Sequence, residues 1–126
     1  MTDCSLSVVN ATDYTLTLID KKVEGALVFD VVSWNREPSQ SIPPRGSDTA
    51  GAAGVALAKP RITLTYRIEC GAADGEVSLF HDSGTIFDSI HIDTSGWFSE
   101  DIAKRFWITL ANDLDVTITI HQGIEP

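Results

Sequence analysis

Arg61 to Asp82, RITLTYRIECGAADGEVSLFHD, is the stretch whose reading decides the fold. Successive side chains of an extended chain point to opposite sides. Ile62, Leu64, Tyr66, Ile68 and Cys70 therefore share one face, and Thr63, Thr65, Arg67 and Glu69 the other. One face is buried and one is wet. The returning run places Val77 and Leu79 on its apolar side, and a slip of one residue would turn them toward the polar face of the first strand. A four-residue loop, Ala72 to Gly75, keeps the faces matched by pairing Cys70 with Val77 and Ile68 with Leu79. Its Asp74-Gly75 step can supply the positive φ that such loops often need. The stretch reads as a β-hairpin.

Working outward, Leu6 to Asn10 and Tyr14 to Ile19 read as two short strands around a turn at Asn10-Ala11-Thr12-Asp13, with Tyr14, Leu16 and Leu18 inward. A third extended run, Val23 to Trp34, takes its parity from Asp30: with that charge outward, Leu27, Phe29 and Val31 point in and Trp34 falls on the outer face or at the strand's end. NREPSQSIPPRGSDTAGAAG is rich in proline and glycine and reads as surface loop with a short edge strand. Ile86 to Asp93 reads as a further strand, and a helical turn or two from Ser99 is the one helix expected. Phe106 to Ala111 and Val116 to Gln122 alternate, with Phe106, Ile108, Leu110, Val116, Ile118 and Ile120 inward and Trp107 outward beside Thr109. About eight short strands with almost no helical period predict an all-β chain, a single-domain antiparallel β-sandwich over residues 1–126.

Composition narrows the function. The 126 residues suffice for one hydrophobic core, and no apolar run approaches the roughly 20 residues of a membrane-spanning helix. Met1-Thr2-Asp3-Cys4 leads straight into a strand pattern, so no signal peptide is expected. The formal charge of −9 repels phosphate backbones and anionic lipid surfaces, which makes nucleic acid an unsuitable partner and points any membrane contact toward neutral or zwitterionic headgroups. Cys4 and Cys70 are expected as reduced buried thiols rather than a disulfide. The sequon Asn10-Ala11-Thr12 carries no weight in a chain without a secretion signal.

No catalytic grouping stands out. His91 and Asp93 share a strand face, but no third metal ligand is evident, and the histidines are expected at strand ends in water. No G-x-S-x-G elbow, Cys and His constellation or phosphate-cradling glycine loop occurs. The tryptophans are the unusual feature: Trp34, Trp97 and Trp107 fall at strand ends, in loops or on an outward parity, and Phe98 follows Trp97. An apolar ring with a polar N–H suits the boundary between water and lipid. Rings that cap the open ends of a sandwich core would show the same pattern.

In order along the chain come LSVVNATDYTLTLIDKKVEG, the pair Gly51 and Gly54 after an irregular loop, and ITLTYRI followed by GEVSLFHD. In this order of motifs the chain resembles the aegerolysins, in particular the small aegerolysin-like subunits of two-component bacterial insecticidal toxins. The resemblance implies a β-sandwich that binds membrane lipids, often sphingolipids, and works with a larger second protein to open pores. The chain departs from that pattern at GAAG, where a GTEG-like turn would be expected, and after Asp82, where Ser83-Gly84-Thr85 replaces a proline and a tryptophan. Val55 to Pro60 is an added stretch.

The expectation is therefore a non-enzymatic membrane-lipid-binding protein of the cytolysin type, without cofactor or metal, acting with a larger pore-forming partner. Trp34, Trp97, Phe98 and Trp107 are its membrane-contact residues. Oligomers are compatible with this reading. A toxin made without a signal peptide would be cytoplasmic as synthesised and released by a non-classical route. The alternative is a lectin-like carbohydrate-binding sandwich, in which the same rings stack on sugar faces and loop Asp or Asn accept hydroxyl hydrogen bonds. A purely structural domain would bind neither lipid nor sugar.

Overall fold

A computed structural model of the chain describes residues 2–25, 27, 29–55, 58–69, 74–82, 89–93, 106–112 and 116–123. The described residues form strands and connections without a helix: β1 (Thr2–Ala11), β2 (Leu16–Gly25), β3 (Val32–Arg36), β4 (Ser41–Ile42), β5 (Ser47–Gly54), β6 (Pro60–Glu69), β7 (Asp74–Asp82), β8 (Ser89–Asp93), β9 (Phe106–Asn112) and β10 (Val116–Gln122). They make two five-stranded sheets, ordered β3-β5-β1-β10-β9 and β4-β2-β6-β7-β8. We call these the first and second sheet. The result is a β-sandwich, with Leu6, Val8, Ala50, Ala52, Ile118 and Ile120 of the first sheet in one buried cluster with Leu16, Ile62, Leu64, Tyr66, Ile68, Val77 and Leu79 of the second.

The inward parity expected for β6, β7 and β10 holds, but several finer expectations are corrected. In the hairpin, Leu64 pairs with Leu79, Tyr66 with Val77 and Ile68 with Gly75, so the register differs from the expected one and both Asp74 and Gly75 belong to a strand. Sliding the loop by two residues keeps every side chain on its face, so apolar alternation cannot choose between the two registers. Cys70 lies outside the described residues. The first two strands do not pair: β1 joins β5 and β10, and β2 joins β4 and β6, so the segment between them crosses from one sheet to the other. That crossover leaves β1 free to run parallel to β10, the one parallel pairing among the described residues. Leu110, expected inward, is 45% exposed on β9, the last strand in its sheet's order. Of the expected strand 86–93 the described part is β8, and the helix expected from Ser99 lies outside the described residues.

The largest correction concerns 23–54. The expected third strand is two strands with a turn between them: Asp30 accepts the Leu27 N–H at 2.9 Å and returns its own N–H to the Leu27 carbonyl at 3.0 Å. Asp30 thus closes a turn instead of setting a strand's parity, and a Cβ on Gly25 would collide with it. The proline- and glycine-rich segment expected as loop holds β4, the short edge strand, but also β5, which pairs on both sides with β1 and β3. Serine, alanine and glycine have low strand propensity, yet small side chains are what this position accepts. Asn35 covers Gly51, and the Ala58 carbonyl lies where a Gly54 side chain would be.

At the end of the sandwich where β1 finishes, Asn10 is fully buried and its amide joins both sheets. Its Nδ2 donates to the carbonyls of Tyr14 (2.7 Å), Ile42 (3.1 Å) and Pro43 (3.1 Å). Its Oδ1 accepts from the Thr12 amide (3.1 Å) and hydroxyl (2.6 Å). A glycan on this nitrogen would break those bonds, so the sequon is not usable in the folded chain.

Truncating Leu64 or Ile118 to Ala should cost about 2–5 kcal/mol by urea denaturation, and losses under about 1 kcal/mol at both would contradict the core described above. Tyr66 gives a pH test. Its hydroxyl is buried without a hydrogen-bond partner among the described residues, and burial, with the Asp48 carboxylate as the lesser cause, pushes its pKa well above that of a free tyrosine. The folded state therefore holds the proton after the unfolded chain has lost it. Stability is unaffected below about pH 10 and falls above it, by up to about 1.4 kcal/mol per pH unit for this one group. Tyr66→Phe should be neutral or mildly stabilising at pH 7 and should flatten the alkaline decline; an unchanged alkaline slope would contradict the assignment.

Candidate functional site

Of the four aromatic residues singled out in the sequence, two are placed. Trp34 lies opposite Ala52, a core residue, and packs half-buried against the hydrophobic cluster. The outward position expected for it is corrected: once β3 begins at Val32, Trp34 shares the inward side. Trp107 does stand on the outer face of the first sheet, but its ring is engaged. It stacks on His121, its cross-strand partner, with centroids 3.9 Å apart and planes 12° from parallel. His121 Nε2 in turn meets the Thr109 hydroxyl at 2.8 Å. Trp97 and Phe98 lie outside the described residues.

The two outer faces differ in charge. On the second sheet, Lys22, Glu24, Arg61, Arg67 and Glu76 stand outward, with Arg67 and Glu76 paired at 3.2 Å and Lys22 and Glu24 at 3.5 Å. On the first sheet, the outward positions of β1 from Ser5, of β5, and of β9 and β10 through Ala111 and His121 hold Ser, Thr, Ala, Gly, Val and Trp107. His121 is the one titratable group among them, and Arg36 stands at the β3 edge. The face ends in a row formed by Ala11, His121 and Trp107. Arg45, next to Ala11, donates to its carbonyl at 3.0 Å and to the Asp13 carboxylate at 2.8 Å, while the Asp13 amide donates to Gln122 Oε1 at 2.7 Å.

The opposite end carries a feature that sequence reasoning missed. Leu27, Phe29 and Val31, expected in the core, are 56%, 80% and 62% exposed, and Val55 beside them is 62% exposed. The Val55 amide donates to the Val31 carbonyl at 2.9 Å, so the β2–β3 and β5–β6 connections meet. With Asp30 closing the turn, they form an apolar tip. Val-Phe-Asp-Val-Val reads as a strand by composition, and the one available signal was the aspartate between hydrophobic residues, an Asx-turn former.

His81 is also corrected, from a solvent position to a buried one. Its Nδ1 lies 2.9 Å from the Ser5 carbonyl and 3.2 Å from the Cys4 thiol, and Cys4 is buried. His91 pairs with Phe80, next to His81 in the sheet. Among the described residues no three His, Cys, Asp or Glu side chains gather as metal ligands. No helix among them is long and apolar enough to cross a membrane. No protein-family model matches the chain, and no curated protein does so either.

A ring on the outer face should matter little to folding. Trp107→Ala should lose about 1 kcal/mol, the size of a cross-strand pair, in the urea experiment that costs Ile118→Ala several times more. Equal losses at the two sites would mean that Trp107 belongs to the core.

Proposed function

We propose that the chain is a non-enzymatic membrane-lipid-binding protein of the cytolysin type that works with a larger pore-forming partner. The observation that carries this reading is the apolar tip. Four large hydrophobic side chains stand in water on adjoining connections, although a chain of this size could have turned them inward. Inserted into a bilayer interface they would contribute on the order of 1–3 kcal/mol each, enough together for reversible attachment. The tip is also a small projection, whereas a stable protein interface needs roughly 800 Å² per partner. The larger partner and the leaning toward sphingolipid rest on the resemblance to aegerolysins alone.

Charge adds a constraint on the lipid. A chain of net charge −9 approaches neutral or zwitterionic headgroups without the repulsion that an anionic surface would add. Within the tip, the Asp30 carboxylate already accepts a backbone N–H, which offsets part of its desolvation on insertion. Trp107 lies at the other end of strands about 30 Å long, so it would not enter the same bilayer leaflet as the tip.

Sedimentation with phosphatidylcholine and sphingomyelin vesicles tests the reading. The protein should bind them in preference to phosphatidylserine vesicles, with little dependence on salt, and Phe29→Ser should weaken binding about tenfold or more with folding unchanged. Salt-sensitive binding to phosphatidylserine alone, or full binding by Phe29→Ser, would sink it.

A further inference from the structure

We propose a second binding site, on the outer face of the first sheet at the end remote from the apolar tip, that takes a neutral oligosaccharide. Its floor is the Trp107 ring. That ring is held by the His121 stack, and Phe106, the next residue, is buried in a T-shaped contact with Tyr14 at 6.0 Å and 72°. The site is therefore rigid before any ligand arrives. The stack covers the face of the ring turned toward β10, so the surface on which the C–H face of a pyranose can lie is the other face, at the outer edge of the sheet, with the rest of the chain of sugars running back over the row.

Polar groups stand along the same row. His121 bonds Thr109 through Nε2, and its Nδ1 makes no hydrogen bond among the described residues. One strand further is Ala11, then Arg45 with its guanidinium on the Asp13 carboxylate, and Asp13 is braced from the other side by Gln122. Neighbouring strands are about 4.8 Å apart, so the row from Arg45 to Trp107 spans about 14 Å, room for a short oligosaccharide rather than a single ring. Behind it the outward positions continue with the hydroxyls of Thr119 and Thr117.

Charge selects the ligand class. Arg45 and Asp13 neutralise one another, and from Ser5 on β1 the outward positions of β1, β5, β10 and β9 hold no carboxylate, lysine or arginine, on a chain that is otherwise strongly acidic. An anion would be repelled by the whole molecule, and a cation would find no spare carboxylate in the row. A purely apolar ligand would strip water from the guanidinium, carboxylate and hydroxyls without replacing it. A neutral sugar has an apolar face for the indole and hydroxyl edges that both donate and accept. This site is independent of the lipid reading, because it lies at the other end of the strands and uses other residues.

The test is calorimetric titration of the folded protein with cellotetraose, chitotetraose, mannotetraose and maltotetraose. Phosphatidylcholine vesicles with and without lactosylceramide are run in parallel, to separate a free glycan from a glycolipid headgroup. At least one of these probes should bind, and Trp107→Ala and Thr109→Val should each weaken that binding about tenfold or more. Phe29→Ser should leave it unchanged. Should Trp107→Ala fail to fold, Thr109→Val and Asp13→Asn decide. The proposal is overturned if no tetrasaccharide binds and lactosylceramide adds nothing to the vesicles. It is equally overturned if the folded variants bind as the wild type does, or if Phe29→Ser alone abolishes sugar binding.

Discussion

The amide of Asn10 is the contact on which the arrangement of the two sheets depends. It sits at the end of β1 in the first sheet and donates to Tyr14, just ahead of β2, and to Ile42 and Pro43, in and after β4, all on the side of the second sheet. A buried amide costs free energy unless it is paired, and this one is paired at both its nitrogen and its oxygen. The chain leaves β1 at this point and crosses to the other sheet. Without the Asn10 side chain each of these carbonyls would lose a donor at the crossing, leaving Tyr14 to the Thr12 hydroxyl and Pro43 to the Gly46 amide. Because the crossing is secured there, β1 has both edges available, and β5 and the last strand can take them.

The same crossover explains how the surface is divided. With β5 and β10 flanking β1, the first sheet is built largely from segments rich in serine, threonine and alanine, and its outer face is nearly free of charge. The charged alternation of β6 and β7 goes to the second sheet. An acidic chain thereby has one face that does not repel a neutral partner, and at one end a tip that is apolar outright. The tip depends on a local bond, since Asp30 turns the chain through its own side chain before the strand can continue. Exposed side chains that a longer strand would have buried are the consequence.

Strand existence and inward parity were legible in the sequence wherever β-branched or aromatic residues alternated with polar ones, as in β6, β7 and β10. The period of two is a property of any extended chain, so it needs no knowledge of the neighbours. The outward position of Trp107 followed from that parity, but its stack on His121 did not, because pairing across strands depends on register. Trp34 was misplaced because its strand begins later than composition suggests. β5 was unreadable as a strand, since its residues are accepted for their small size beneath Asn35 and beside Ala58, contacts that exist only in the assembled sheet.

The sequence by itself determined an all-β chain, two-faced strands and a strongly negative net charge, because alternation and net charge are local or additive properties. Tertiary structure alone decided the hairpin register, the parallel pairing of β1 with β10, the burial of His81 and Asn10, and the exposure of Leu27, Phe29 and Val31. Each of these depends on which strand lies alongside or which group accepts a particular hydrogen bond. A shift of two residues, or a turn in place of two more strand residues, leaves the sequence pattern unchanged while it moves side chains between neighbours or from core to solvent.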